Sequence, residues 1–244
     1  EEIASGEEIN VTVPTGNFGN ILAAYYAKQM GVPIAKLICA SNENKVLFDF
    51  FQTGTYDRNR EFVLTSSPSM DILISSNLER LIYTIAGADA EKDQELMDGL
   101  RTEGRYEITP EMKAQLSDFA GGFATEEETR AAIRDTYRST GYVMDTHTAV
   151  AAHVCRKYRE DSGDGRKHLL ASTASPYKFV KSVMTAIDEK YGGMEEFALI
   201  EELEKVSGTP VPKAIEEIRS AQILHTRECG ADKMKETVKE LLGI

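Results

Sequence analysis

Residues Val11 to Met30 admit one local arrangement, a strand, a glycine turn and a helix in immediate succession. The β-branched run Val11-Thr12-Val13 ends at Pro14, and the turn Pro14-Thr15-Gly16-Asn17-Phe18-Gly19-Asn20 carries two glycines three apart. Glycine tolerates positive φ and lets the backbone come close to a ligand, so Gly16 and Gly19 are expected to carry the bend. A helical pattern begins at once through Leu22, Tyr25, Tyr26 and Met30, with a stop at Gly31 and Pro33. A turn that opens a helix points bare amides and the positive dipole end outward, which makes it a cradle for an anion. It lacks the Gly-Lys-Ser/Thr ending of a nucleoside-triphosphate loop and the third glycine of a dinucleotide fingerprint. On the glycines alone, an ordinary tight turn is the competing reading.

The residues that follow extend this unit into an α/β fold. Ile34 to Ala40 is an almost continuous apolar run, which suits a strand buried on both faces of a parallel sheet. A third strand is expected over Lys167 to Ser172, followed by a helix start with Ser175 as cap and Pro176 in the first position. Between them the pattern is mostly helical. Thr125 and Glu128 form a capping box, Gly141 ends that helix, and Asp145 caps another through Val150, Val154 and Tyr158. Near the end, Pro212 opens a short helix and Asp232 is expected to cap one with the apolar face Met234, Val238, Leu241 and Leu242. Three strands are too few to complete a doubly wound sheet.

Charge narrows the partners. A formal net charge of -12 over 244 residues, with no basic stripe, argues against nucleic acid. No apolar stretch is long enough to cross a bilayer, so no membrane partner is expected. Cys39, Cys155 and Cys229 lie far apart without the close spacing of a zinc or redox motif, which predicts no metal site and fits a reducing cytosol. His153 and Cys155 read as packing residues.

The full string Pro14 to Asn20 resembles the cofactor-phosphate loop of threonine synthase, a fold-type II pyridoxal-phosphate enzyme. Four further segments match bacterial members in order: Met30-Gly31-Val32-Pro33-Ile34, Ser75 to Leu81, Asp145 to Ala151, and Ser172 to Phe179. The resemblance implies an open, mostly parallel sheet of the tryptophan synthase β type with helices on both faces, plus a helical C-terminal region. On that basis residues 1–190 are expected to form part of a large cofactor domain, with residues 191–244 a helical segment packed on it. The resemblance assigns Gly16, Asn17, Phe18, Gly19 and Asn20 to the phosphate of pyridoxal 5'-phosphate and Thr173 to its pyridine nitrogen. The implied substrate is O-phospho-L-homoserine, converted with water to L-threonine and phosphate. Asn77 and Arg80, three apart at a helix start, can face one ligand there. Arginine is shaped for phosphate or carboxylate. His147, in the first turn after Asp145, can donate to substrate or to backbone, whereas Asp145 itself reads as an N-cap rather than an acid.

One part of the family pattern is not in this sequence. The lysine that anchors the cofactor covalently lies upstream of the loop in that pattern, and none of the thirteen residues before Pro14 is lysine. The chain also begins at Glu1 rather than Met. The expectation is therefore a C-terminal portion, inactive alone, whose partner is the missing N-terminal half of the same polypeptide. Two alternatives stay open here: another fold-type II enzyme, such as a serine/threonine dehydratase or cysteine synthase, and a non-catalytic phosphometabolite-binding module.

Overall fold

The computed structural model describes residues 2–244, which divide into two compact units meeting between Thr209 and Pro210. The first unit opens with β1 (Ile9–Pro14), α1 (Gly19–Gln29) and β2 (Ile34–Ser41), a right-sized crossover for two parallel strands. α2 (Val46–Thr53) then leads to β3 (Thr55–Asp57), α3 (Leu78–Ile85) and α4 (Ala90–Thr102). β4 (Arg105–Glu107), α5 (Pro110–Ala114), β5 (Phe119–Phe123) and α6 (Glu126–Thr140) follow. The unit closes with α7 (Thr146–Ser162), β6 (His168–Leu170), α8 (Val180–Ile187) and α9 (Glu196–Ser207). β3 and β4 pair with each other in a small antiparallel ribbon.

The main sheet runs β5-β2-β1-β6 with every pairing parallel, so all four carboxyl ends lie along one edge. Alternation along the strands assigns the two faces. Val11, Val13, Leu37 and Cys39 pack with Ile21 and Leu22 of α1, Phe50 of α2 and Leu81 of α3. Ile38 and Ala40 face Val150, Ala151 and Val154 of α7. The same open parallel sheet with flanking helices is the architecture that the sequence predicts.

β5 was not among the expected strands. Its sequence Phe119-Ala-Gly-Gly-Phe reads as a breaker, because glycine weakens a strand. The packing explains it: a Cβ on Gly122 would stand 2.5 Å from Cγ1 of Val154, so only glycine lets α7 lie this close. The helix signals at Thr125, Gly141 and Asp145 all form caps. Ser175 caps a 3-10 turn over Pro176–Phe179 rather than an α-helix, and α8 follows it.

The second unit, residues 210–244, contains α10 (Lys213–Ser220) and α11 (Met234–Leu242), neither of which buries a residue. Asp232 does not cap α11: it lies in a 3-10 turn, Ala231–Lys233, and the capping position is Lys233 without a side-chain bond. Among the described residues no helix is long and apolar enough to cross a membrane.

Candidate functional site

The glycine turn lies at the carboxyl edge of the sheet. Thr15 ends the strand by donating its amide to the Ala40 carbonyl (2.8 Å). α1 then starts behind Phe18, which caps it at φ 62° and ψ 2° with no side-chain bond to the first-turn amides. Leu22 donates to the Phe18 carbonyl (3.1 Å), while the preceding amides of the first turn are the ordinary orphan donors of a helix start. The expected positive φ therefore falls on Phe18, and neither Gly16 nor Gly19 has one. A non-glycine residue in the left-handed region costs roughly 1–2 kcal/mol. Phe18 offsets that cost by burying its ring, 1% exposed, about 6 Å from Phe51 and Phe119. Burial of such a side chain is worth about 1.5–3 kcal/mol, enough to hold the turn in place.

The glycines serve two separate ends. A Cβ on Gly16 would stand 2.6 Å from the Ser69 carbonyl oxygen and 3.0 Å from Met70 Cα, so Gly16 admits a neighbouring main chain. A Cβ on Gly19 would meet only Asn77 Nδ2, at 3.5 Å, and its surroundings are otherwise open.

That neighbouring chain is a brace, residues 63–77, stretched across the sheet edge. At its C-terminal end Ser75 Oγ donates to the Gly16 carbonyl (2.7 Å), and the Ser76 amide and hydroxyl both donate to Asn17 Oδ1 (2.7 Å each). Asn77 Nδ2 donates to the Asn17 carbonyl (2.8 Å). The Asn17 amide nitrogen remains as a donor group beside the turn. In the middle of the brace, Asp71 accepts from Asn42 (2.8 Å), Asn44 (3.1 Å) and the Thr65 amide (2.9 Å), which ties it to the residues just past β2.

A cavity of about 380 Å³ opens between turn and brace, with Gly16 to Asn20, Asn77, His147, Thr173 and Lys178 on its wall. Thr173 reaches it from the segment after β6, whose last tie to the sheet is the Ala171 amide on the Thr12 carbonyl (3.0 Å). Turn and Thr173 thus share one cavity at the carboxyl edge, where open α/β sheets collect ligands. Arg80 does not line it; the guanidinium donates to Asn77 Oδ1 (3.0 Å) from the exposed face of α3. Lys178 is the charged side chain of the wall, its ammonium 5.4 Å from the centre of the Phe179 ring.

His147 is 2% exposed, with Ser69 on one ring nitrogen and Thr146 Oγ1 on the other. Nε2 accepts the Ser69 amide (3.2 Å), so the proton belongs on Nδ1, which faces Asp145 Oδ1 at 3.4 Å. Asp145 also accepts the amides of His147 (2.8 Å) and Thr148 (3.1 Å) and the Thr148 hydroxyl. Burial alone pushes its carboxyl up, but the bonds from His147 and Thr148 outweigh it and hold the group below the ordinary aspartate value. Cys39, beneath the turn, is fully buried; that burial pushes its thiol up to about 12 and leaves it no nucleophile at neutral pH.

A larger cleft of about 540 Å³ lies over β5 between α2 and α7, lined by Phe48, Phe123 and Val154. Its charged groups are occupied, with Lys157 paired to Asp161 (3.2 Å) and Glu128 in its capping box. The smaller cavity is the one with convergent free donors. Sequence reasoning did not single out Ser69, Asp71 or Lys178. Lys178 could have been found from its place in the matched segment Ser172 to Phe179, whereas Ser69 and Asp71 carry no local pattern.

A family model described as "Threonine synthase, C-terminal" matches residues 148–223. Threonine synthase-like 1 of Pongo abelii is 45% identical over 190 residues, covering 77% of this chain and 25% of that protein. Threonine synthase of Saccharomyces cerevisiae is 37% identical over 220 residues, covering 82% of this chain and 42% of the relative. Among solved structures, yeast threonine synthase superposes with a TM-score of 0.80 at 30% identity, over 97% of this chain and 48% of that one. The pyridoxal-phosphate-bound threonine synthase of Brucella melitensis gives 0.71 at 40% identity, over 75% and 39%. The chain thus spans less than half the length of each of these proteins. Over most of its length this chain is therefore similar to threonine synthases, and residues 148–223 match the model of that family's C-terminal part.

Proposed function

We propose that this chain supplies the phosphate and ring-nitrogen end of the cofactor site in a pyridoxal-phosphate-dependent threonine synthase. The parent reaction converts O-phospho-L-homoserine and water to L-threonine and phosphate. The reading is carried by one observation, the shared cavity of the Gly16 to Asn20 turn and Thr173. The residues present fit the group: orphan helix-start amides and one ammonium suit a phosphate dianion, and the space beside Gly19 leaves room for it. When bound, the cofactor supplies an electron sink for carbanions formed on the substrate.

The chain's own residues then have distinct tasks. Main-chain amides of the turn hold the phosphate, with the Asn17 and Asn20 side chains as further donors and Lys178 as counter-charge. Thr173, on the cavity wall, would offer a neutral hydroxyl to the pyridine nitrogen and so favour its protonation less than a carboxylate would. Asn77 forms the wall and braces the turn, and Arg80, outside the cavity, steadies Asn77 through its Oδ1. The covalent anchor is assigned to another part of the longer polypeptide, so the chain alone makes no threonine. Its three free thiols suit the reducing cytosol in which we place the enzyme.

Titration with pyridoxamine 5'-phosphate, which cannot condense with a lysine, tests the reading by amide NMR. Shifts concentrated at Gly16 to Ile21 and Thr173 are expected; shifts confined to other segments, or none, would sink it. Borohydride treatment with pyridoxal phosphate should leave no stoichiometric adduct on any single lysine.

A further inference from the structure

We propose that His147 is a positioning residue that sets the phosphate turn from outside, by holding Ser69 against Gly16. The proposal rests on the reading of the turn as a phosphate cradle, although the geometry on which it depends is present without any ligand. Ser69 is gripped from two sides. Its amide donates to His147 Nε2 (3.2 Å), and its carbonyl oxygen occupies the space that a Gly16 Cβ would need, 2.6 Å away. No other atom lies so near that Gly16 position.

The acceptor state of Nε2 is enforced from behind. Asp145 is 1% exposed and takes the Nδ1 side of the ring at 3.4 Å, with Thr146 Oγ1 at 3.3 Å from the same nitrogen. Asp145 is itself locked as the cap of α7. The imidazole packs on Phe179 at 4.9 Å, so it cannot swing to a new partner without leaving that contact. His147 lines the cavity, yet both nitrogens are committed to the fold; donation to a substrate would require giving up either Ser69 or Asp145. A line of bonded groups therefore runs from the start of α7 through His147 to Ser69, whose carbonyl packs against Gly16. The brace residues Ser75 to Asn77 hold the same turn from its other side.

Glutamine and asparagine separate this role from a merely structural one. A glutamine carbonyl reaches about as far as Nε2, whereas an asparagine carbonyl reaches only as far as Nδ1. In the ligand-free chain, His147→Asn should lower the heteronuclear NOE of Gly16 and Asn17, and His147→Gln should leave it near wild type. Affinity for pyridoxamine 5'-phosphate should fall roughly tenfold in His147→Asn, the worth of one lost hydrogen bond, and recover in His147→Gln. Equal behaviour of the two variants, or an unchanged turn in both, would overturn the proposal. If His147→Asn does not fold, Gly16→Ala reads the same linkage from its other end. The added methyl should push Ser69 away and move the ring nitrogen shifts of His147, and unmoved shifts would overturn the proposal. A wild-type chain that fails to bind pyridoxamine 5'-phosphate would overturn the proposed function, while the NOE comparison still decides the role of His147.

Discussion

Phe18 shows how a single side chain can hold a strained backbone. Its left-handed φ of 62° and its buried ring go together: in that conformation of the turn the ring lies about 6 Å from Phe51 and Phe119. Phe18→Ala should destabilise the chain by about 3–5 kcal/mol in urea unfolding, since alanine loses the buried ring but keeps the Cβ that makes the left-handed φ costly. It should also weaken phosphate binding. Asp145 adds a pH dependence. Its carboxyl lies below the ordinary value in the folded chain, so its contribution to stability is complete above the unfolded pKa near 4 and is lost as pH falls through the folded value. The stability difference between wild type and Asp145→Asn at pH 7 should therefore shrink on acidification to pH 3. Persistence of the full difference at pH 3 would show that the charge is not its source.

At the scale of elements, β5 and α7 fit together because Gly122 has no side chain. Gly122→Ala should cost about 1–3 kcal/mol by overpacking against Val154, and Val154→Ala in the same chain should recover part of it. Additive losses in that double-mutant cycle would exclude direct coupling. The same pair shows what a sequence can reveal. β1, β2, α6 and α7 were legible because apolar periodicity and caps are local signals, written within a few residues of each other. β5 was not, because the reason for Gly122 is a helix that begins more than twenty residues later. β6 spans only His168–Leu170 of the strand expected over Lys167 to Ser172, and Leu169 stays half-exposed at the edge of the sheet. In the site, the turn and Thr173 were legible through the resemblance of their segments. The brace was not: Ser75 and Ser76 meet Gly16 and Asn17 across 59 residues, and a serine with a distant partner looks like any surface serine.

For the whole molecule, charge and topology set the remaining expectations. With a formal net charge of -12, the chain repels a dianionic ligand at long range, and only the local donors of the cavity attract it. Association of pyridoxamine 5'-phosphate should accordingly speed up as salt rises from low to physiological strength, because screening removes the long-range repulsion first. Stopped-flow rates that fall over that range would show that local attraction by Lys178 dominates. The four parallel strands impose a further constraint. The cavity draws on residues after β1, between α2 and α3, at the start of α7 and after β6, so its walls span most of the first unit. Parallel pairings of this kind close long loops before any contact rewards them, and they are slow. No early, partly folded form can therefore own a finished cavity: during refolding, the capacity to hold a phosphate is the last property to appear, after helical signal and compactness have already returned.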